Sequence, residues 1–331
     1  MAGGSESLTA LCTIITTTSP TPSNPSTELI CSTLNSLAEH APALLQCRHI
    51  LVCDGYKCGS NSKFRSGLVT AERAHAYQQY MEALDRLAHE KASPAWERVE
   101  VVRLTERQGF GFAVKAALEL VDTRFVCIMQ HDRTFMRPFP GVLSLLQAMI
   151  QDPRLKMVGL PTTTNDPPRY ISQAITKLGA MKVVHPPFET LALTSSACPD
   201  FRFIPMIMWH DSTHFASTQY YREFVFSRRQ ILVTRGGFIE DKLGQQQGMD
   251  LREIGWTSHA RYGTFLLDDG APAPARMVGH LNGKRYLRSS IKVALEVAER
   301  AKASLADVPE SEDGLATDEL AIGCRYYQRK A

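Results

Sequence analysis

Residues Val99 to Phe139, VEVVRLTERQGFGFAVKAALELVDTRFVCIMQHDRTFMRPF, constrain the fold more than any other stretch of the chain. They read as a strand, a glycine turn, a helix and a second strand. Two parallel strands joined by a helix need a crossover of this length, and a helix over the sheet face supplies it. The second strand runs from an apolar core sequence straight into the polar cluster Gln130-His131-Asp132. Strand stability asks for nothing so hydrophilic there, whereas ligands of open α/β sheets bind just beyond the carboxyl ends of strands.

The same alternation extends both ways. Leu8 to Thr17 is β-branched and apolar and predicts a first buried strand, broken by Ser19-Pro20-Thr21-Pro22. A helix follows from about Glu28 to His40, with Ser26 or Thr27 as its N-cap and Leu29, Ile30, Leu34 and Leu37 on one face. Arg48 to Cys53 predicts the second strand, closing on Asp54-Gly55, and Ala71 to Lys91 a long polar helix. Val99 to Leu104, Phe112 to Leu120 and Phe125 to Met129 then give strand, helix and strand. A helix at Val142 to Gln151 and a strand at Met157 to Leu160 continue the order. Such a sequence of elements predicts a doubly wound, mostly parallel sheet flanked by helices.

After Pro161 the periodicity fades. Pro161 to Ser217 reads as irregular, binding-type loops, with short elements resuming near Tyr221 to Phe226 and Ile231 to Thr234. A helix through Gln247 follows Glu240-Asp241. Ser290 to Leu305 reads as an amphipathic helix and Ser311 to Thr317 as a linker. The expected division is one half-domain over 8–160, a second half over 161–288 and a C-terminal helix and tail over 289–331.

Composition excludes several classes. The 331 residues are 44% hydrophobic and 21% charged with a formal net charge of +3, ordinary for a globular protein and without the polybasic run of a nucleic-acid binder. Eight scattered cysteines, with no CxxC pair, fit a reduced, cytosol-like compartment better than a disulfide framework. No stretch approaches the roughly 18 apolar residues of a membrane span, and no secretory leader is evident at MAGGSESLTA. A cytoplasmic protein without a nucleic-acid partner is the expectation.

The order of motifs resembles the GT-A glycosyltransferases of the family-2 type. The residues that carry it are Ile14-Ile15-Thr16-Thr17, Asp54-Gly55, the turn Gln108-Gly109-Phe110-Gly111-Phe112-Ala113, Gln130-His131-Asp132, and Glu240-Asp241, all between about residues 8 and 285. Two positions depart from the family pattern: Gln130 stands where the first acid of D-x-D is expected, and Gln108 where the turn carries asparagine. A glutamine oxygen ligates a divalent ion without the charge that favours carboxylates.

The resemblance implies a GT-A α/β fold and transfer of a sugar from a UDP- or GDP-sugar to a hydroxyl acceptor, with Mn²⁺ or Mg²⁺. It implies nucleotide contacts at Thr16, Thr17, Asp54, Gly109, Arg107, Gln130, Asp132, Lys284 and Arg285, and metal ligation by Asp132, Gln130 and His280. Asp241 would be the base of an inverting transfer, with Glu240 its alternative. Beside each stands a plainer reading: a turn-capping Asp132, an ordinary Asp-Gly turn, a solvated Arg107, helix-start acids favoured by the dipole, a surface His280. Trp209, His210, Asp211 and His214 pack aromatics and polar groups into a short run suited to binding an acceptor. A His/Asp/His metal site there lacks any common ligand spacing. The rivals are a nucleotidyltransferase, disfavoured by Thr-Thr-Thr-Ser-Pro where a basic glycine-rich loop is usual, and a degenerate sugar-nucleotide-binding protein.

Overall fold

In a computed structural model the described residues are 7–281, apart from 197, 228–232 and 273–275. Lys284, Arg285, the helix expected over 290–305 and the tail lie outside them.

Nine strands form the main sheet: β1 (Cys12–Thr18), β2 (Arg48–Cys53), β3 (Val99–Arg103), β4 (Phe125–Gln130), β5 (Met157–Gly159), β6 (Leu193–Ser195), β7 (Cys198–Pro205), β8 (His214–Ser217) and β9 (Thr264–Asp268). Their spatial order is β3-β2-β1-β4-β8-β5-β9-β7-β6. Strands β3, β2, β1 and β4 pair in parallel, as do β5 and β9, while β8 and β7 run against their neighbours. The mostly parallel sheet flanked by helices, expected from the sequence, is the one observed.

Alternation within the strands explains why both faces are covered. In β1 every residue is buried; Ile14 enters one apolar layer and Ile15 the other, and in β4 Cys127 and Ile128 divide likewise. A strand buried on both faces reads as a continuous apolar run rather than an alternating one. Helices α1 (Glu28–His40), α2 (Ala71–His89) and α4 (Val142–Gln151) bury Leu34, Tyr77 and Leu145 on the first face. Helices α3 (Phe110–Leu118) and α5 (Pro167–Ala180) bury Val114 and Leu178 on the second. Two β1 threonines are satisfied inside: Thr16 Oγ1 meets His49 Nε2 at 2.8 Å and Thr18 Oγ1 meets Tyr80 OH at 3.0 Å.

Three expectations are corrected. Residues Leu8–Leu11 form a helical turn, not the start of β1; pairing with β4 begins at Cys12 and with β2 at Thr13, so nothing upstream has a ladder to join. Helix α3 starts at Phe110 rather than Phe112, because Gly109 takes the N-cap with φ 76°. The span 161–217 is not mainly loop: it supplies α5 and strands β6, β7 and β8, and β8 sits between β4 and β5. Strands from both expected half-domains therefore share one sheet. Two short ribbons lie outside it, joining 57–58 to 68–69 and 133–135 to 278–280.

Candidate active site

Parallel pairing of β3, β2, β1 and β4 delivers four carboxyl ends to one edge of the sheet. There Thr17, Thr18 and Ser19 from β1, Asp54 from β2, Arg107 after β3 and Gln130-His131-Asp132 from β4 line a cavity of about 200 Å³. Gly109, Phe110 and Ala113 at the start of α3, Phe64, Arg65 and Gly67 from the 57–69 loop, and Gly236 and Phe238 complete it. An open groove of about 630 Å³ adjoins it, sharing Phe64, Arg65, Arg107 and Gly236 and adding the cations Lys63 and Arg235. A concavity of about 640 Å³ lies at the amino ends of β4 and β5, lined by Thr123, Arg124, Lys156 and Ser217. Position decides between them, since ligand sites of such sheets lie beyond the carboxyl ends.

Asp54 explains how the glycine turn is held. Its Oδ1 accepts the N–H of Gln108 at 2.7 Å and its Oδ2 the N–H of Gly109 at 2.9 Å. The carboxylate thus caps the turn that opens α3, satisfying donors a helix start leaves unpaired. Burial raises its pKa, and these two donors work against that rise. A Cβ on Gly55 would lie 2.2 Å from the Glu106 carbonyl carbon, so only glycine lets β2 and the segment after β3 approach this closely. Gly109 is equally committed: a Cβ there would lie 2.6 Å from the Gly236 backbone. The Gly236 N–H donates to Gln108 O at 2.6 Å and the Gly111 N–H to Gly237 O at 3.2 Å. Phe110 and Phe238 stack beside this seam at 5.6 Å.

Arg107 runs across Gly67, and its Nη2 donates to Gly236 O at 3.0 Å and to Arg65 O at 3.4 Å. It clips the 57–69 loop to the 236–238 turn. The adjacent Arg235 pairs with Glu106 at 3.0 Å.

On the β4 side, the His131 N–H donates to Thr17 O at 3.0 Å and carries the β1–β4 ladder past the strand end. His280, on the 278–280 strand, stands opposite Arg133, and its Nε2 lies 3.0 Å from Asp132 Oδ2. The Leu281 N–H donates to Asp132 O at 2.8 Å, so Asp132 and His280 face each other across a paired ribbon. Burial pushes the Asp132 carboxyl up, but the His280 hydrogen bond and the charges of His131, His280 and Arg133 outweigh it and hold the group below its ordinary value. Asp132 Oδ1 is buried without a hydrogen-bond partner. Arg133 Nε lies 4.0 Å from that oxygen; a carboxylate oxygen free of hydrogen bonds beside an imidazole is a donor set that fits a divalent cation. Among the described residues no group of three or more His, Cys, Asp and Glu side chains is arranged to hold a metal ion.

Other expected ligands fall elsewhere. Thr16 is fully buried on His49 and does not reach the cavity. Trp209, Asp211 and His214 are 1%, 3% and 0% exposed, which corrects the expectation that they meet an acceptor. Their polar atoms are spent internally: Trp209 Nε1 donates to Asp211 Oδ1 at 2.8 Å, and His214 sits between Ser212 O and Tyr221 OH, 2.6 Å from each. Burial lowers the His214 pKa to about 4 and raises that of Asp211 to about 8. His210 remains half-buried beside Tyr170.

Glu240 and Asp241 open a π-helical turn (Glu240–Gly244) that runs into a helix at Gln245–Glu253, and both are exposed. Glu240 and Asp211 are reciprocally bonded: the Asp211 N–H donates to Glu240 Oε2 and the Glu240 N–H to Asp211 Oδ2, both at 3.0 Å. Gln130 Nε2 donates to Asp211 O at 2.7 Å. Sequence reasoning missed Phe64, Arg65 and the 236–238 turn as parts of the cavity. The adjacent glycines Gly236-Gly237 were the available signal.

No family model and no curated protein matches the chain. Solved structures similar to it include GalNAc-T7 with UDP, GalNAc and Mn²⁺, at 12% identity, covering 84% of this chain and 45% of that one, TM-score 0.49. Others are S. aureus TarS 1–349 in complex with UDP-GlcNAc (12% identity, 82% and 58% covered, TM-score 0.41) and the mannosyltransferase PcManGT from Pyrobaculum calidifontis in complex with GDP-Man and Mn²⁺ (14%, 79% and 57%, TM-score 0.39). The chain spans about half the length of these structures.

Proposed function

We propose that the chain is a glycosyltransferase that moves a sugar from a nucleotide diphosphate donor to a hydroxyl acceptor. One observation carries this reading: the carboxyl ends of β1, β2 and β4 and Gly109-Phe110 line a single cavity, with the Asp132–His280 pair beside it. Thr17 and Ser19 offer backbone and hydroxyl contacts to the nucleotide, Phe64 a ring face, and Arg65 and Arg107 positive charge toward a diphosphate. Asp132 and His280 would hold Mn²⁺ or Mg²⁺, which neutralises phosphate charge as the nucleotide leaves. Asp241 is the proposed base of an inverting transfer, taking the acceptor hydroxyl proton as that oxygen attacks the anomeric carbon. Its exposure at a helix start leaves the carboxylate open to an acceptor.

The test is incubation with a panel of nucleotide sugars, with and without Mn²⁺, reading thermal shift and donor hydrolysis. Stabilisation by UDP or GDP with slow hydrolysis supports a transferase. A second reading, a sugar-nucleotide-binding protein without turnover, is favoured by Gln130, whose amide nitrogen is committed to Asp211. Binding without turnover in the presence of candidate acceptors decides for it.

A further inference from the structure

We propose that Gln130 and Asp211 form a tether that positions the helix start bearing Glu240 and Asp241, and that residue 130 serves this tether instead of ligating a metal. Three links make the tether. Gln130 Nε2, at the end of β4, donates to the Asp211 carbonyl at 2.7 Å. The Asp211 carboxylate then accepts the Glu240 N–H, and the Glu240 carboxylate accepts the Asp211 N–H. Trp209 Nε1 fixes the other Asp211 oxygen. The helix is gripped a turn later as well: a Cβ on Gly244 would lie 3.3 Å from both the nitrogen and the oxygen of the Trp209 backbone.

The chemistry of the first link accounts for the glutamine. A carbonyl oxygen only accepts, so its partner at position 130 must bring a proton. The Gln130 amide does; an ionised carboxylate would set oxygen against oxygen inside a half-buried contact. The turn at 240–244 has no side-chain cap of its own, and Asp211 supplies one from a remote segment. The tether therefore runs from the strand end that carries Asp132 to the turn that carries Asp241. Asp211 acts here as a positioning residue: it is buried and reaches the site through Gln130 and Glu240.

Hydrogen exchange on the whole chain tests this without substrate. In Gln130→Met, which removes the donor and adds no charge, amides within 209–213 and 239–245 should exchange about tenfold faster, while those of β1 and β2 keep their rates. Gln130→Glu should do the same without tightening Mn²⁺·UDP binding, and with kcat lowered about tenfold. The kinetic arm rests on the glycosyltransferase reading; if the unaltered chain turns over no nucleotide sugar, that reading fails while the exchange arm still decides the tether. Unchanged exchange at 239–245 in Gln130→Met overturns the proposal. So does tighter Mn²⁺·UDP binding by Gln130→Glu, because a carboxylate at 130 would then be acting as a ligand.

Discussion

At the scale of single residues, the site depends on a few atoms with no slack. Asp132 carries a buried oxygen without a hydrogen bond beside His280, so Asp132→Ala should abolish the thermal shift given by Mn²⁺·UDP or Mn²⁺·GDP and lower turnover about 10²-fold. Unchanged donor binding and turnover in that variant would remove Asp132 from the site. Asp241→Asn keeps the shape of the side chain but loses its basicity. Transfer should fall by a factor of about 10² or more while the donor dissociation constant stays put; full activity excludes it as the base. Gly109 is a backbone requirement. At φ 76°, with the Gly236 backbone 2.6 Å from where a Cβ would sit, Gly109→Ala should destabilise by about 2 kcal/mol in urea unfolding.

The next scale is that of elements and how they are joined. Asp54 looks in the sequence like turn punctuation or a nucleoside contact. In the fold its carboxylate ties the end of β2 to the start of α3 through two backbone N–H groups. Asp54→Asn replaces one accepting oxygen by an NH₂ that faces a donor, and an unsatisfied pair of this kind costs about 2 kcal/mol. The expected result is a lower urea midpoint with an unchanged m-value, together with weakened nucleotide binding as the 108–111 turn loosens. An unaltered midpoint would mean that the capping contributes nothing. The Trp209–His214 segment was misread for a related reason. Its mixture of aromatic and polar residues is compatible with an exposed binding loop or with a buried, internally satisfied network. Periodicity does not distinguish the two, whereas the pairings of Asp211 and His214 do. Strand β8, only four residues long, was illegible because its partners β4 and β5 come from distant sequence.

For the whole molecule, the buried titratable groups set how stability changes with pH. His49, His214 and His259 are held neutral by burial, at about 3, about 4 and about 4. The unfolded chain binds protons at these three from about pH 6.5 downward, and the folded chain does not. Their contribution is present above pH 6.5 and is lost as pH falls toward 4. Asp211, raised to about 8, acts in the other direction: its contribution is full below the ordinary carboxyl range and is lost as pH rises through 8. Asp54 is raised too and acts with Asp211. His210 is lowered as well, so toward pH 5 the imidazoles take up more protons on unfolding than the two carboxyls release, and stability falls with pH. Urea unfolding at pH 7 and pH 5 should show the chain weaker at pH 5; equal or greater stability there would contradict this balance.

The sequence by itself determined the alternation of strands and helices through residue 160, hence the parallel sheet, and placed Asp54, Gly109 and Gln130-His131-Asp132 at strand ends and turns. These signals are local, because hydrophobic period and glycine punctuation need no knowledge of partners. Only the tertiary structure decided that β8 enters the sheet beside β4, that Asp132 meets His280 across 148 positions, and that Asp211 is interior rather than exposed. Each of those depends on a pairing between distant segments. Burial and hydrogen-bond satisfaction belong to both partners of a contact at once, and a single stretch of chain records only one of them.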